Sequence, residues 1–298
     1  MNPRSAHADR VPSNALTIDL EEYFQVSGFA DAIHAECWAR IPSRIELQTE
    51  ALLKLLDETG TQATFFVLGW LAQRHPALIR RIVTAGHELA SHGWAHVRVR
   101  DQTPQAFQQD ARQTRELLEE IGGVPVIGYR AASFSIGRDT PWAFEALAKA
   151  GYRYSSSVYP IRHDHYGWPD APRLAFRPAP AGVLEIPIAT VPFLTGTLPC
   201  GGGGYFRLFP YAVSRWGVRR FNREDRAPAV FYLHAWELDP EQPIPAGIST
   251  KARLRHRINL KGTQRKLRRL LTDFRWDRID CVFSELTAST APGLARVS

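Results

Sequence analysis

Three acids crowd the end of an apolar run in ALTIDLEEYF, residues 15–24, where Asp19, Glu21 and Glu22 follow a segment that reads as a buried β-strand. Alternation along a strand sends Asp19 and Glu21 to one side and Leu20 to the other, so two carboxylates share one pocket. Like charges so close are costly unless a cation or an arginine compensates, and the pair therefore predicts a metal or a basic partner. The alternative is that the strand ends at Asp19 and the acids cap the next element. In GHELASHGWAH, His92 and His96 stand four apart after another strand-like run, and one helical turn would bring both imidazoles to one face. His-x-x-x-His alone is a common accident. Joined to an acid pair that needs compensation, two neutral imidazoles and one carboxylate make a hydrolytic metal site with positions left for water. Arg130, in GYRAASF, ends a further strand, where it either holds a carboxylate ionised or forms a surface ion pair. His234, in FYLHAWE, ends a late apolar strand, where a buried, hydrogen-bonded histidine is the plain alternative.

Such residues need a scaffold that ends several strands in one place. The strand-like runs ALTIDL, ATFFVLG, HELASH, VIGYRAAS, VLEIPI, AVFYLHAW and CVFSEL alternate with helical periodicity. Helices are expected over 44–59, with Leu52, Leu55 and Leu56 on one face, and over 71–85. Further helices run from Thr103-Pro104 to Gly122-Gly123, over 140–150 and over 210–222, with a last one in the basic stretch 251–271. Sequential βα units favour a barrel or a doubly wound sheet, and both place chemistry at the C-terminal ends of strands.

A chain of 298 residues that is 44% hydrophobic has ample material for one large core. Its net charge of +7 is uneven, since 251–271 carries nine lysines and arginines and no acid. Such a run reads first as a solvated helix face, and second as contact with an anionic lipid headgroup or acidic polysaccharide. With no interleaved aromatics there, nucleic acid is not expected as a partner. Cys37, Cys200 and Cys281 are odd in number and far apart, as expected of reduced thiols in a cytosol. The polar start, MNPRSAHADRVPSN, has no apolar core of a signal peptide, and no run approaches the roughly 18–20 apolar residues of a membrane span. A cytoplasmic protein, at most peripheral to a membrane, is expected.

The acid pair, histidine pair, arginine and late histidine, in this chain order, resemble the polysaccharide deacetylases of carbohydrate esterase family 4, the nodulation-deacetylase-like fold. The resemblance runs from about residue 15 to 290. It comes nearest to the subgroup at exosortase and exopolysaccharide loci through DLEEYFQVSGF, ATFFVLGW, HELASHGWAH, SSVYPIRHDHYG and GGGGYFRLFPY. It implies an α/β fold, a distorted (β/α) barrel in a single catalytic domain over 15–290, with a basic C-terminal helical segment. Residues 195–276 would be subgroup-specific, and 1–14 and 291–298 would be tails. It implies one divalent ion, zinc for preference, and removal of N-acetyl groups from a polysaccharide or lipid-linked oligosaccharide in exopolysaccharide biosynthesis. Asp19 would be the general base, Glu21, His92 and His96 the metal ligands, Arg130 the residue that orients the base and His234 the general acid. The family's metal acid is usually an aspartate directly after the base or two residues on; Leu20 cannot serve, so Glu21 takes that place, with Glu22 as substitute if the strand bulges.

Some positions depart from the family pattern. Ala131-Ala132-Ser133 replaces x-Pro after Arg130, and Ala235 replaces a proline after His234, which predicts a looser pocket. Ser155 stands where the subgroup carries an aspartate, leaving Glu185 or Asp164 as the acid that supports His234. Trp94, Tyr205, Phe206 and Trp236 are candidates to stack on sugar rings, with core packing as the alternative. CGGGGYFRLF lacks the Gly-Lys-Ser/Thr ending of a phosphate loop and is expected to be a flexible loop over the site. Two other functions fit the same residues: a small-molecule amidohydrolase, and a non-catalytic protein binding glycan or anionic lipid.

Overall fold

In a computed structural model the described residues are 13–163, 166–179, 182–194 and 196–288. Asp164, the stretch 291–298 and residues 1–12 of the expected N-terminal tail lie outside them. Strand β1 (Asn14–Leu20) is buried along its whole length and is the axis of the fold. It pairs in parallel with β2 (Thr64–Val67) on one side and β9 (Val230–His234) on the other, and its first two residues also meet β10 (Trp276–Asp277). The sheet continues through β3 (Glu88–Ser91), β4 (Gly128–Tyr129), β5 (Tyr154–Ser155) and β6 (Leu184–Glu185), all parallel. Beyond β6 the chain curls back to β9: the Ala189 N–H donates to the Val230 carbonyl at 3.1 Å, and the Tyr232 N–H to Gly201 O at 2.8 Å. The sheet thus closes into a distorted barrel, with its strand ends gathered at one rim. A separate hairpin, β7 (Thr190–Phe193) and β8 (Gly196–Pro199), projects from it.

The helices follow from their apolar faces. In α1 (Ile45–Glu58), Ile45, Leu52, Leu55 and Leu56 are buried while Leu47 stays exposed, so one stripe packs on the sheet. Truncating Leu52 to alanine would cost about 2–5 kcal/mol. The helix expected over 71–85 is two, α2 (Gly69–Arg74) and α3 (Pro76–Thr84), because Pro76 excludes His75 from helical geometry. Thr103 caps α4 (Pro104–Gly122) by accepting from the Ala106 N–H, and Gly123 ends it in the left-handed region. The remaining helices are α5 (Trp142–Lys149), α6 (Gly203–Leu208), α7 (Tyr211–Arg220), α8 (Thr250–Arg257), α9 (Leu260–Asp273), α10 (Ile279–Val282) and α11 (Ser284–Ala288).

Three expectations need correction. The basic stretch breaks at Asn259, whose φ of 53° ends α8 and whose side chain donates to the Arg207 carbonyl. Leu260, Leu267, Leu270 and Leu271 of the stretch face inward, Leu254 stays exposed, and most of its lysines and arginines stand outside. CVFSEL is helical rather than a strand: Ile279 and Phe283, four apart, both turn inward, and the last strand is the short β10 before it. The glycine run is no flexible loop. Gly201 and Gly202 lie buried against β9, where a Cβ on Gly202, at φ 106°, would stand 2.0 Å from the Tyr232 carbonyl oxygen.

Candidate active site

Strand β1 delivers Thr17 and Asp19 to the barrel interior, with Asp19 in register with His234 on β9 and Phe66 on β2. Arg130, just past β4, is fully buried and spends its donors on β1 and on the residue after β5: Nη1 to Thr17 Oγ1 at 2.8 Å and Asp19 Oδ1 at 2.7 Å, Nη2 to Ser156 Oγ at 2.9 Å, and Nε to the Ser156 carbonyl at 2.9 Å. Its guanidinium lies 4.1 Å from the Phe66 ring centre. A charge can be so deeply buried only because the Asp19 carboxylate faces it and its hydrogen bonds are made.

Glu21 sits one residue beyond the strand, still on the Asp19 side. Its Oε2 is 3.0 Å from His96 Nε2, and its Oε1 accepts from Trp236 Nε1 at 3.2 Å. Burial opposes its ionisation, yet His96 and His234 hold it well below the usual carboxylate range. Glu22 turns away, accepting from the Ser43 hydroxyl and from the Arg44 N–H at 3.2 Å, so no bulge brings it to the cluster.

The histidine pair does not ride on a helical turn. His92 and His96 belong to a loop after β3, bent by Gly93 at φ 76° and by His96 itself at φ 55°. The loop is pinned where Gly69 and Trp70 donate to the carbonyls of Gly93 and Trp94, and where the Trp94 N–H donates to Asp110 Oδ1 at 3.1 Å. The rings still meet, their centres 5.2 Å apart. His92 Nδ1 bonds the Arg130 carbonyl at 2.8 Å; a carbonyl can only accept, so Nδ1 carries the proton and Nε2 is left as a ligand atom. Burial pushes its imidazole down to about 4.

His234 Nε2 faces both acids, 3.6 Å from Glu21 Oε1 and 3.9 Å from Asp19 Oδ2. The acid behind it is Glu237, three residues on, which sequence reasoning missed. Glu237 Oε1 lies 2.6 Å from His234 Nδ1 and accepts the His234 N–H at 3.1 Å, while its Oε2 accepts from Arg207 Nε at 2.6 Å. Burial works against a charged His234, but Glu21 and Glu237 raise it to about 9; Arg207 and His234 outweigh burial at Glu237 and lower it to about 2. The looser pocket expected from Ala132 and Ala235 does not appear. Ala131 N–H donates to Ser157 Oγ at 2.8 Å, and Glu237 folds the chain after His234 into a short 3₁₀ turn.

The remaining predicted residues fall elsewhere. Glu185 does not reach His234; it is buried, accepts from the Ser157 and Val158 N–H groups at 2.9 and 2.8 Å, and burial pushes it up to about 7. Phe206 is core, packed edge-on to Phe231. Trp236 is buried between His234 and His256, its ring centre 5.1 and 4.3 Å from theirs, and so supports Glu21 rather than offering a face to a sugar. Trp94 and Tyr205 are half-buried, Trp94 lying over Gly69.

Ligand atoms of Glu21, His92 and His96 lie within 4.8 Å of one another. A divalent ion fits them. Glu21 Oε2 is buried and, among the described residues, meets only His96 Nε2, without the geometry of a hydrogen bond; His92 presents an unprotonated nitrogen, and a carboxylate with two imidazoles is a donor set suited to zinc and its neighbours.

Residues 41–155 match the family described as polysaccharide deacetylase, and residues 156–284 match a domain of unknown function (DUF3473). His92, His96 and Arg130 fall in the first segment and His234 and Glu237 in the second, while Asp19 and Glu21 precede both. A chitooligosaccharide deacetylase of Rhizobium leguminosarum bv. trifolii is 26% identical over 47% of this chain and 59% of its own length. A peptidoglycan deacetylase-like protein, FGM2, of Gibberella zeae is 31% identical over 36% and 31%. The chain thus spans less than two thirds of either relative. A solved Mycobacterium smegmatis protein, assigned to the polysaccharide deacetylases, superposes with a TM-score of 0.61 over 97% of this chain and 95% of that one, at 20% identity, and so shares the fold.

Proposed function

The chain belongs, through residues 41–155, to the polysaccharide deacetylase family, carbohydrate esterase family 4, and from that premise we propose that it is a metal-dependent hydrolase of N-acetyl groups on a glycan. The observation that carries the reading is one buried cluster in which Arg130 faces Asp19, the Glu21, His92 and His96 triad stands beside it, and His234 closes the far side. Glu21, His92 and His96 would hold one divalent ion, zinc for preference, which supplies Lewis-acid charge to lower the pKa of a water and polarise an amide carbonyl.

The positions of the chain's own groups support the following roles. Asp19, held in place by its bond to Arg130, takes a proton from the attacking water. Arg130 keeps the carboxylate oriented so that Oδ2 is the basic oxygen. His234, charged by Glu21 and Glu237, gives a proton from Nε2 to the departing amine, and Glu237 orients the ring by accepting from Nδ1. Trp236 steadies Glu21 through its indole N–H.

The substrate we propose is an N-acetylated polysaccharide or lipid-linked oligosaccharide of exopolysaccharide biosynthesis, met in the cytoplasm. The family's relatives support the N-acetyl chemistry, and the sequence resemblance supports the pathway. Acetate release from N-acetylglucosamine oligomers by metal-reconstituted protein is the test. Release abolished in Asp19→Asn supports the reading; no release by wild type from any N-acetylated glycan, with the ion bound, removes it.

A further inference from the structure

Away from the Asp19 cluster, and sharing no residue with it, a cavity of about 780 Å³ is lined by Tyr211, Arg215, Trp216, Arg219, Arg220, Arg223 and Arg269, among others. Five of its side chains are therefore arginines. Arg215, Trp216, Arg219, Arg220 and Arg223 recur at three- and four-residue spacing along α7 and the turn after it, so one helix face carries them all. Arg215 is neutralised by Asp273 at 2.8 Å and Arg220 by Glu224 at 2.7 Å, and Arg269 lies 4.7 Å from the centre of the Tyr211 ring. Arg219 and Arg223 are exposed and have no acidic partner among the described residues. A cluster of like charges around a concavity raises the local concentration of anions.

Beside the arginines stands an apolar edge. Phe193 and Leu194, at the turn of the β7–β8 hairpin, are 48% and 91% exposed, and Trp216 is 39% exposed. The hairpin is fixed to α7: the Phe193 ring meets Trp216 edge-on at 6.4 Å, and Arg220 Nη1 donates to the Pro192 carbonyl at 2.9 Å. A leucine held almost wholly in water, next to an aromatic pair and a surplus of guanidinium groups, satisfies both demands of a bilayer interface. The apolar tip enters the headgroup region while the arginines meet phosphates.

We propose that the exposed Phe193 and Leu194 of the hairpin and the α7 arginine cavity together form a docking surface for an anionic lipid bilayer. The charge that decides binding sits on Arg219 and Arg223, outside the basic 251–271 stretch, to which Arg269 alone of the cavity belongs. The inference stands independently of the deacetylase reading, since no residue of the Asp19 cluster takes part.

The test is cosedimentation of the full chain with vesicles of phosphatidylcholine alone and of phosphatidylcholine mixed with phosphatidylglycerol. Binding is expected only to the second, and should weaken as salt is raised. Each arginine near the surface is worth roughly five-fold, so Arg219→Gln with Arg223→Gln should weaken binding about 25-fold. Leu194→Asp should weaken it by about ten-fold or more. All three positions are exposed, and an unchanged thermal transition would show that the variants fold. Arg253→Gln with Arg257→Gln, exposed on α8 outside the cavity, should leave binding as it was. Failure to bind the anionic vesicles, equal loss in the α8 pair, or no effect of Leu194→Asp would overturn the proposal. So would inorganic pyrophosphate binding that needs Arg219 and Arg223 in a protein that ignores vesicles, since the cavity would then serve a free anion.

Discussion

Replacing Glu237 by glutamine isolates the support behind His234. Glu237 is 1% exposed and lies between His234 and Arg207, so it touches no substrate, and Gln keeps its shape while removing its charge. A charge-assisted hydrogen bond such as the 2.6 Å contact to Nδ1 contributes about 1.5–3 kcal/mol, against about 0.5–1.5 kcal/mol for a neutral one. The difference, with the added freedom to present an amide N–H to Nδ1, is roughly 1.5–2.5 kcal/mol in keeping His234 protonated at Nε2 and aimed for its proposed role as proton donor. At about 1.4 kcal/mol per decade, kcat should fall roughly 10- to 60-fold, with KM within about two-fold of wild type. Glu237 helps raise His234 to about 9, so its loss should also move the alkaline limb of kcat/KM to lower pH. Stability should drop by only about 1–3 kcal/mol, because Arg207 keeps its bonds to the carbonyls of Arg255, His256 and Ile258. The assay is acetate release from an N-acetylglucosamine oligomer across pH, with metal content measured beside it. Activity within two-fold of wild type and an unmoved alkaline limb would refute the role given to Glu237.

Asp19→Asn should lower turnover by about a thousand-fold or more while the protein still binds its ion; near-normal acetate release would exclude Asp19 as base. Elemental mass spectrometry should find roughly one equivalent of divalent metal in wild type, and His92→Ala should lose it. An unchanged metal content would move the site elsewhere. Glu185 is held by burial at about 7 in the folded chain against 4.5 as its ordinary value. Its stabilising protonation is complete below about pH 4.5 and fades as pH rises through about 7, removing roughly 3 kcal/mol at about 1.4 kcal/mol per pH unit. Urea unfolding of Glu185→Gln should lack that part of the decline, and parallel curves for both proteins would count against it. Gly202→Ala should destabilise by about 3 kcal/mol or more, since both its φ and the Tyr232 carbonyl exclude a Cβ; a thermal midpoint equal to wild type would contradict that.

The alternation of β-rich and amphipathic runs was enough to place strand ends and the Thr103 cap, because these are local signals carried by side-chain period and capping chemistry. Asp19, Glu21, His92, His96, Arg130 and His234 were each legible as the residue just at or after a strand end. Glu237 was not, although His-Ala-Trp-Glu offers the three-residue spacing that a 3₁₀ turn closes into a bond. Its partner Arg207 is thirty positions upstream, and nothing in the sequence pairs them. The His92–His96 loop was misread as helical because four-residue spacing is also produced by a turn through two left-handed residues. CVFSEL was misread because a short apolar run carries no period of its own, and only the neighbouring sheet decides which way Ile279 and Phe283 turn. Glu22 and Glu185 were ambiguous for a related reason: a carboxylate can be spent on backbone N–H groups, and those partners are invisible until the chain has folded.

The bond between Arg130 and Asp19 also bears on how this protein can drift. Substituting Asp19 by an apolar residue alone would strand a guanidinium that has no route to water, at a cost of about 3–5 kcal/mol. That is much of the stability of an ordinary domain. A lineage that abandons the chemistry therefore has few one-step exits: it passes through a polar isostere such as asparagine, which keeps a bond to the arginine, or loses both partners together. Asp19 is thus guarded by the fold as well as by any selection on turnover.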